Sequence, residues 1–431
     1  NLVNNQSTNR GIVYLWDLDK NFEIDNQISD CGSILHLVQS LTKAKLFQYP
    51  RLWLVTRGTQ KTAPADILIL TGASLWGLGK VIALEHPELL CTCLDLDAAN
   101  NNNSTQELYE QLLNTDTENE IAIRQGIRKV ARLTRRNKEE GIGNKIGLFN
   151  SENSYLITGG IGGIGLEVAH WLAQQASVNL ILTARRSFPE PEKWSQWLET
   201  HPHNDSTSIK IHQLQKIIDA GSKVNIEQVD VADMSGMSRL FTKIYGEWGQ
   251  VNGIFHAAGI TEDGLLRSKY SQTLNQVLQP KVMGTWLLHS LTQQQQQPPL
   301  MVLFSSVAAI EGNIGQGDYA AANCYLDSFA QFRHGNGLPT LSINWGLWSE
   351  AGMGKNLVES AQKRGLAAMS TKDALNALQQ ALNLIPTHSG IAIFNQNISQ
   401  PLESKPVAST IHQSETIQKP AVKPAKAKVK N

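Results

Sequence analysis

The stretch FSSVAAIEGNIGQGDYAAANCYLDSFA (304–330) sets a hydroxyl and a phenol at a spacing that can do chemistry. Ser306 is followed thirteen residues later by Tyr319, and Asn323 stands one helical turn further on. Residues at i and i+4 share a helix face, so Tyr319 and Asn323 lie on one side. Reducing a carbonyl needs a proton donor at its oxygen and a second donor to polarise it. A tyrosine with its free pKa is a poor source near neutrality, and a nearby ammonium lowers that pKa by favouring the phenolate. The natural place for the lysine is four residues after Tyr319, where Asn323 stands instead. Lys281, in LQPKVMGTWLLH, is the substitute, one strand–helix unit upstream.

A hydride must come from a cofactor, and TGGIGGIG (158–165) offers it a cradle. Thr158 closes the strand SYLIT, and Gly159, Gly160, Ile161, Gly162, Gly163, Ile164 and Gly165 follow it and open a helix over 166–175. Pyrophosphate at a helix N-terminus needs close backbone approach, which the glycines permit. The next strand ends in TARR, so Arg185 and Arg186 stand where an NAD site would place an acid. A guanidinium fork suits the 2′-phosphate of NADP instead. Asp230 is placed for the adenine, with Val231 beside it, and HAAG (His256, Ala257, Ala258, Gly259) supplies small residues along the cofactor. A rival loop, TGASLWGLGKV (71–81), has Asp95 downstream, yet Leu75 and Trp76 fill the middle of its would-be cradle. It reads as core.

The elements that must position these residues alternate. Strands are expected at 11–19, 51–58 and 89–97, with helices at 33–44, 76–89 and 105–114. Residues 100–106 read as a polar loop, 127–136 as a solvated strand or helix face, and 137–147 as a linker. Beyond it, strands at 178–186, 224–231, 251–259, 300–306 and 340–346 alternate with helices, which implies a parallel sheet covered on both faces. Residues 187–221 read as a surface insertion, 293–299 as a surface loop, and 345–365 as a lid. The Pro/Ala/Lys tail is a solvated spacer.

The totals agree with a two-part globular chain. At 431 residues it exceeds one typical core, and Lys+Arg and Asp+Glu both total 38, so no net field recruits nucleic acid or an anionic membrane. No apolar run approaches the ~20 residues that cross a bilayer. Cys91 and Cys93 have no second pair near them, so packing rather than metal binding is expected, in a reducing cytoplasm. The chain opens at Asn1 with no signal-peptide pattern and reads as a segment of something longer.

TGGIGGIG, HAAG, LQPKVMGTWLLH, FSSVAA, GQGDYAAANCYLD and INWGLWSEAGMG together resemble the ketoreductase domain of modular polyketide synthases, a short-chain dehydrogenase/reductase. In that family the lysine and asparagine positions are exchanged relative to free-standing reductases. The resemblance implies an α/β fold of two Rossmann-like subdomains: a cofactor-less structural half (1–147), a catalytic doubly wound half (148–399), and a linker (400–431). It makes Tyr319 the proton donor, Ser306 the residue orienting the ketone, and Lys281 and Asn323 the relay. NADPH would reduce a 3-ketoacyl chain held by phosphopantetheine on an acyl carrier protein, among other synthase domains; the isolated domain would be a monomer or weak dimer. Glu311 stands where one stereochemical class has Trp, and Thr261-Glu262-Asp263 keeps only the last residue of the other class's Leu-Asp-Asp. That leans toward a D-configured hydroxyl, and Ala321, where epimerising members have Pro, implies no epimerisation. Gln316, Leu347 and Met353 complete the stereocontrol set. The rivals are a free-standing NADP-dependent ketone reductase, against which the fused first half speaks, and a silent ketoreductase, which would have lost Tyr319 or its glycine loop.

Overall fold

The structure, a computed structural model, describes residues 11–18, 22–99, 103–134, 149–293, 295–359, 366–385, 388–393 and 395–396. The expected linker at 137–147, the tail at 400–431 and the end of the lid at 360–365 lie outside them.

The first half begins with short apolar segments, β1 (Gly11–Tyr14) and β2 (Arg51–Arg57), joined through helix α1 (Ile24–Lys43). Helix α2 (Ala73–Glu85), β3 (Thr92–Leu96), helix α3 (Ser104–Leu112), β4 (Glu120–Arg124) and β5 (Ile127–Val130) follow. The strands lie side by side in chain order, parallel from β1 to β4, and β5 returns antiparallel on β4. Gln125 and Gly126, both at positive φ, make that tight turn. Alternation along β2 splits its contacts: Leu52 and Leu54 join the core that holds α1 and α2, while Trp53 and Val55 pack with Leu108 and Leu112 of α3.

Local signals explain the shifts from the expected bounds. α2 starts three residues early, at Ala73, and ends at Glu85, because Pro87 opens a separate 3-10 turn (Pro87–Leu89). β4 is not among the expected strands; EIAIR is a short run that its neighbours β3 and β5 make a strand.

The second half reads β6 (Ser154–Thr158), α4 (Gly163–Gln175), β7 (Asn179–Ala184), α5 (Trp194–Thr200), α6 (Ser206–Asp219), β8 (Lys223–Gln228), α7 (Met234–Trp248) and β9 (Gly253–His256). Then come α8 (Ser271–Thr292), β10 (Leu300–Ser306), α9 (Ala308–Glu311), α10 (Gly317–Gly335), β11 (Thr340–Trp345), α11 (Thr371–Leu382) and β12 (Gly390–Ile393). The seven strands are all parallel, ordered β12–β11–β10–β9–β6–β7–β8. The order reverses between β6 and β9, which opens a crevice at their C-terminal ends.

Residues 187–221 are not a surface insertion but the crossover from β7 to β8. Asp205 caps α6 by accepting from the Thr207 and Ser208 amides, and the helix buries Ile211, Leu214 and Ile217 in the same core as α4. A polar, His-rich approach hides this helix's apolar stripe in the sequence. α1 and α2 pack on α8 and α10, so the two sheets share one apolar core. Among the described residues no helix is long and apolar enough to cross a membrane, and all four cysteines are buried free thiols.

Candidate active site

Ser306 ends β10 and Tyr319 lies in the first turn of α10, so strand end and helix start face the same crevice. Within α10, Asn323 Nδ2 donates to the Tyr319 carbonyl at 2.7 Å. Lys281 reaches them from α8, its Nζ 5.9 Å from the Tyr319 ring centre. The same Nζ donates to the Phe304 carbonyl at 2.7 Å, two residues before Ser306. The four expected residues thus come together. Asn323 Oδ1 is buried and finds no partner among the described residues, a spare acceptor at the heart of the site.

The electrostatics differ from expectation. Burial raises the Tyr319 pKa, hydrogen bonds from Ser306 and Asn323 offset only part of this, and the Asp263 charge adds to the rise. The expected lowering by Lys281 is absent because that ammonium is itself desolvated, its pKa pushed down to about 7 despite the Asp327 charge. Asp327 escaped the sequence reading although it follows Asn323 by one helical turn. Burial pushes its carboxyl up to about 6 while it accepts from Ser342 Oγ and Asn344 Nδ2, both at 2.6 Å.

Beside this cluster lies a glycine-lined cleft. Gly159 sits at φ +67°, and a Cβ there would come within 3.1 Å of the Ala258 backbone. The chain therefore turns sharply under HAAG. α4 then begins with no side-chain cap, so its first-turn N–H groups are left for a ligand. Thr158 and His256 support the turn from below: Thr158 Oγ1 and His256 Nδ1 are 2.6 Å apart, both residues are buried, and burial pushes His256 down to about 3. Val231 is buried as well. Gly259 serves the lysine, since a Cβ there would stand 2.9 Å from Lys281 Cε. Arg185 and Arg186 are exposed at the end of β7. Arg185 and Asp230 border a cavity of about 380 Å³ together with Arg239 and Lys243 of α7 and the carboxylates of Glu227 and Asp233; Lys243 pairs with Glu227 at 2.6 Å. Asp230 Oδ1 already accepts from the Ala232 amide at 2.9 Å. Arg239 is a further cation the sequence did not single out; nothing in its local pattern marks it. An uncapped helix start, a glycine-rich cradle and an exposed Arg185 at the next strand end fit a dinucleotide.

A model of the KR domain matches residues 153–350, and a model of the Rossmann fold domain of a polyketide synthase extender module, SpnB, matches residues 7–133. Among solved structures, one described as A-type ketoreductases from a modular polyketide synthase is 30% identical, with TM-score 0.76, over 90% of this chain and 78% of that one. The chain belongs to the polyketide synthase ketoreductase family. An A1-type ketoreductase matches at 29% identity and TM-score 0.76, with the same 90% and 78% coverage. Of the curated relatives, a 6-methylsalicylic acid synthase of Arthrobotrys oligospora is 29% identical over 82% of this chain and 19% of its own length. A phenolphthiocerol/phthiocerol polyketide synthase polypeptide of Mycobacterium tuberculosis is 30% identical over 84% of this chain and 18% of its own length. The ketoreductase thus spans about a fifth of the curated relatives it matches.

At the mouth of the ketoreductase site, Gln316 Nε2 donates to Asp263 Oδ1 at 2.9 Å, and Glu311 is exposed beyond them. Met353 is exposed, and Leu347 packs so tightly on Gly354 that a Cβ there would fall 2.1 Å from Leu347 Cδ1. The segment expected to be a lid approaches the glycine loop at Gly352, with φ +81°; a Cβ on Gly163 would meet its nitrogen at 2.6 Å.

The loop at 71–81 is closed to ligands. Gln27 Oε1 accepts from the Ser74 amide at 3.2 Å, while its Nε2 donates to the Leu70 carbonyl at 2.8 Å. Trp76 is buried, its Nε1 donating to Thr56 Oγ1 at 3.1 Å. Asp95 accepts from Thr56 Oγ1 at 2.6 Å, from the Thr59 and Gln60 amides at 2.9 and 3.0 Å, and pairs with Arg124.

Proposed function

We propose that this ketoreductase uses NADPH to reduce the β-ketone of a 3-ketoacyl chain, carried by phosphopantetheine on an acyl carrier protein. The observation that carries the reading is the Ser306–Tyr319–Asn323–Lys281 cluster at the mouth of the glycine-lined cleft. Bound NADPH supplies hydride to the β-carbon. Tyr319 Oη holds the proton for the ketone oxygen; its raised pKa keeps that proton in place until negative charge develops there. Ser306 Oγ orients the oxygen, and Lys281 and Asn323 support return of a proton to the phenolate. Arg185 grips the 2′-phosphate, with Arg186 beside it. Phe in place of Tyr319 should cut turnover roughly 10²–10⁴-fold with NADPH still bound, followed by loss of NADPH absorbance on a 3-ketoacyl thioester. Equal consumption by both proteins would make the catalytic assignment wrong.

Asp263, together with Glu311 in place of Trp, favours a D-configured hydroxyl, and Ala321 favours reduction without epimerisation. Chiral chromatography of the product from a diketide thioester tests this: an L-alcohol as main product refutes it. The second reading, the opposite hydroxyl, draws on the A1-type match at TM-score 0.76. A C2-type ketoreductase scores 0.75 at 25% identity, so the backbone does not separate the types and the side chains at the mouth must. We further read 1–147 as the structural part, 148–399 as the catalytic part and 400–431 as a spacer to other synthase domains, in a cytoplasmic protein that is monomeric when isolated.

A further inference from the structure

The two loops that form the mouth, 262–269 and 312–318, are tied to each other and to the half of the molecule that has no open cofactor loop. Besides the Gln316–Asp263 bond, the Gly264 amide donates to the Gly315 carbonyl at 2.8 Å. Lys269 Nζ donates to the Glu262 carbonyl at 2.6 Å and to Asp318 Oδ2 at 2.5 Å, and Asp318 Oδ1 accepts from the Tyr319 amide at 2.8 Å. The loops therefore run directly into the catalytic tyrosine.

Both are held by one carboxylate. Glu85, half-buried as the last residue of α2, accepts from the Leu266 amide through Oε2 at 2.7 Å and from the Gly315 amide through Oε1 at 2.8 Å. Gln39 of α1 adds a second grip, its Nε2 donating to the Leu266 and Lys269 carbonyls at 2.9 and 2.7 Å. A carboxylate accepting two backbone N–H groups makes strong, charge-assisted bonds whose geometry is set by its own two oxygens. Here those oxygens join the direct Gln316–Asp263 and Gly264–Gly315 bonds in holding the stretch of chain bearing Asp263 against the one bearing Gln316.

We propose that Glu85 is a positioning residue for stereocontrol: by bridging Leu266 and Gly315 it sets the gap at the mouth and so which face of the ketone meets the hydride. This rests on the ketoreductase reading above. Neither Asp263 nor Gln316 needs to touch Glu85 for this, because each is within three residues of an amide that Glu85 holds. Gln39 makes the 266–269 loop stiff enough for that bridge to matter.

The test compares the wild-type chain with Glu85→Ala and Glu85→Gln, the latter keeping the shape but presenting an amide N–H₂ to one of the two donors. Product from a 3-ketoacyl thioester is resolved by chiral chromatography, with NADPH affinity and melting temperature measured in parallel. Losing one charge-assisted bridge should lower the ratio of major to minor alcohol about tenfold, with KM for the thioester rising more than kcat falls and NADPH Kd within about twofold. A purely structural role predicts instead an unchanged ratio with lower melting temperature, and that result overturns the proposal. If Glu85→Ala does not fold, Glu85→Gln decides. If the wild-type chain reduces no 3-ketoacyl thioester, the functional reading falls. Amide hydrogen exchange then judges the bridge alone: faster exchange at Leu266 and Gly315 in Glu85→Gln supports it, and unchanged exchange overturns it.

Discussion

At Gly72 and at Gly162 the chain enters a helix that no side chain of the N-cap residue closes, and the two starts are finished in opposite ways. In the first half, Gln27 takes the Ser74 amide and Trp76 wedges onto Thr56, so the first turn is satisfied from within. In the second half the first turn of α4 keeps an open glycine cradle, and Arg185 stands exposed at the end of the next strand. Sheet order reinforces the contrast. β1 to β4 succeed one another without reversal, whereas β6 and β9 flank a reversal. A crevice forms where neighbouring crossovers diverge. Glycines after an apolar run are thus insufficient: a dinucleotide site also needs an open helix start beside a topological break.

Three substitutions press on that contrast. Trp76→Ala should carry the largest effect, costing about 3–5 kcal/mol of stability while NADPH affinity of the folded protein stays put, as urea unfolding and fluorescence titration would report. Loss of binding in a fully folded variant would mean the first loop is not closed. Arg185→Ala should do the reverse: stability unchanged, NADPH binding weaker by about 1.5–3 kcal/mol, and NADH binding barely altered, read by calorimetry with both cofactors. The smallest expected effect comes from Gly77→Ala, where a Cβ would fall 2.2 Å from the Ala320 carbonyl oxygen. Overpacking there should cost about 1–3 kcal/mol and slow turnover by shifting Tyr319, one residue away from that contact. A variant with lowered stability but unaltered kcat would uncouple α2 packing from turnover.

Much of the site is legible in the chain alone. Ser306, Tyr319 and Asn323 fall at strand and helix offsets that chain geometry brings to one face, and TGGIGGIG carries its own strand–helix context. The first loop is also legible as core, through Trp76. Its plug is not: Gln27 lies 47 residues from Ser74, and no local pattern links them. Likewise α6 is hidden because its apolar stripe, Ile211, Leu214 and Ile217, sits among polar residues and finds its partners only in the fold, α4 first among them.

By itself the sequence determined which groups are available and which of them a strand or helix must align: the phenol, the hydroxyl, the glycine cradle and the arginines at the next strand end. Tertiary structure alone decided their protonation and their spacing. Burial, not the neighbouring ammonium, dominates the Tyr319 pKa, and the same burial pushes the Lys281 ammonium down to about 7. Glu85 meets Leu266 and Gly315 across separations of 181 and 230 residues. Desolvation and long-range hydrogen bonds depend on what surrounds a group in space, and a one-dimensional string carries only its neighbours along the chain.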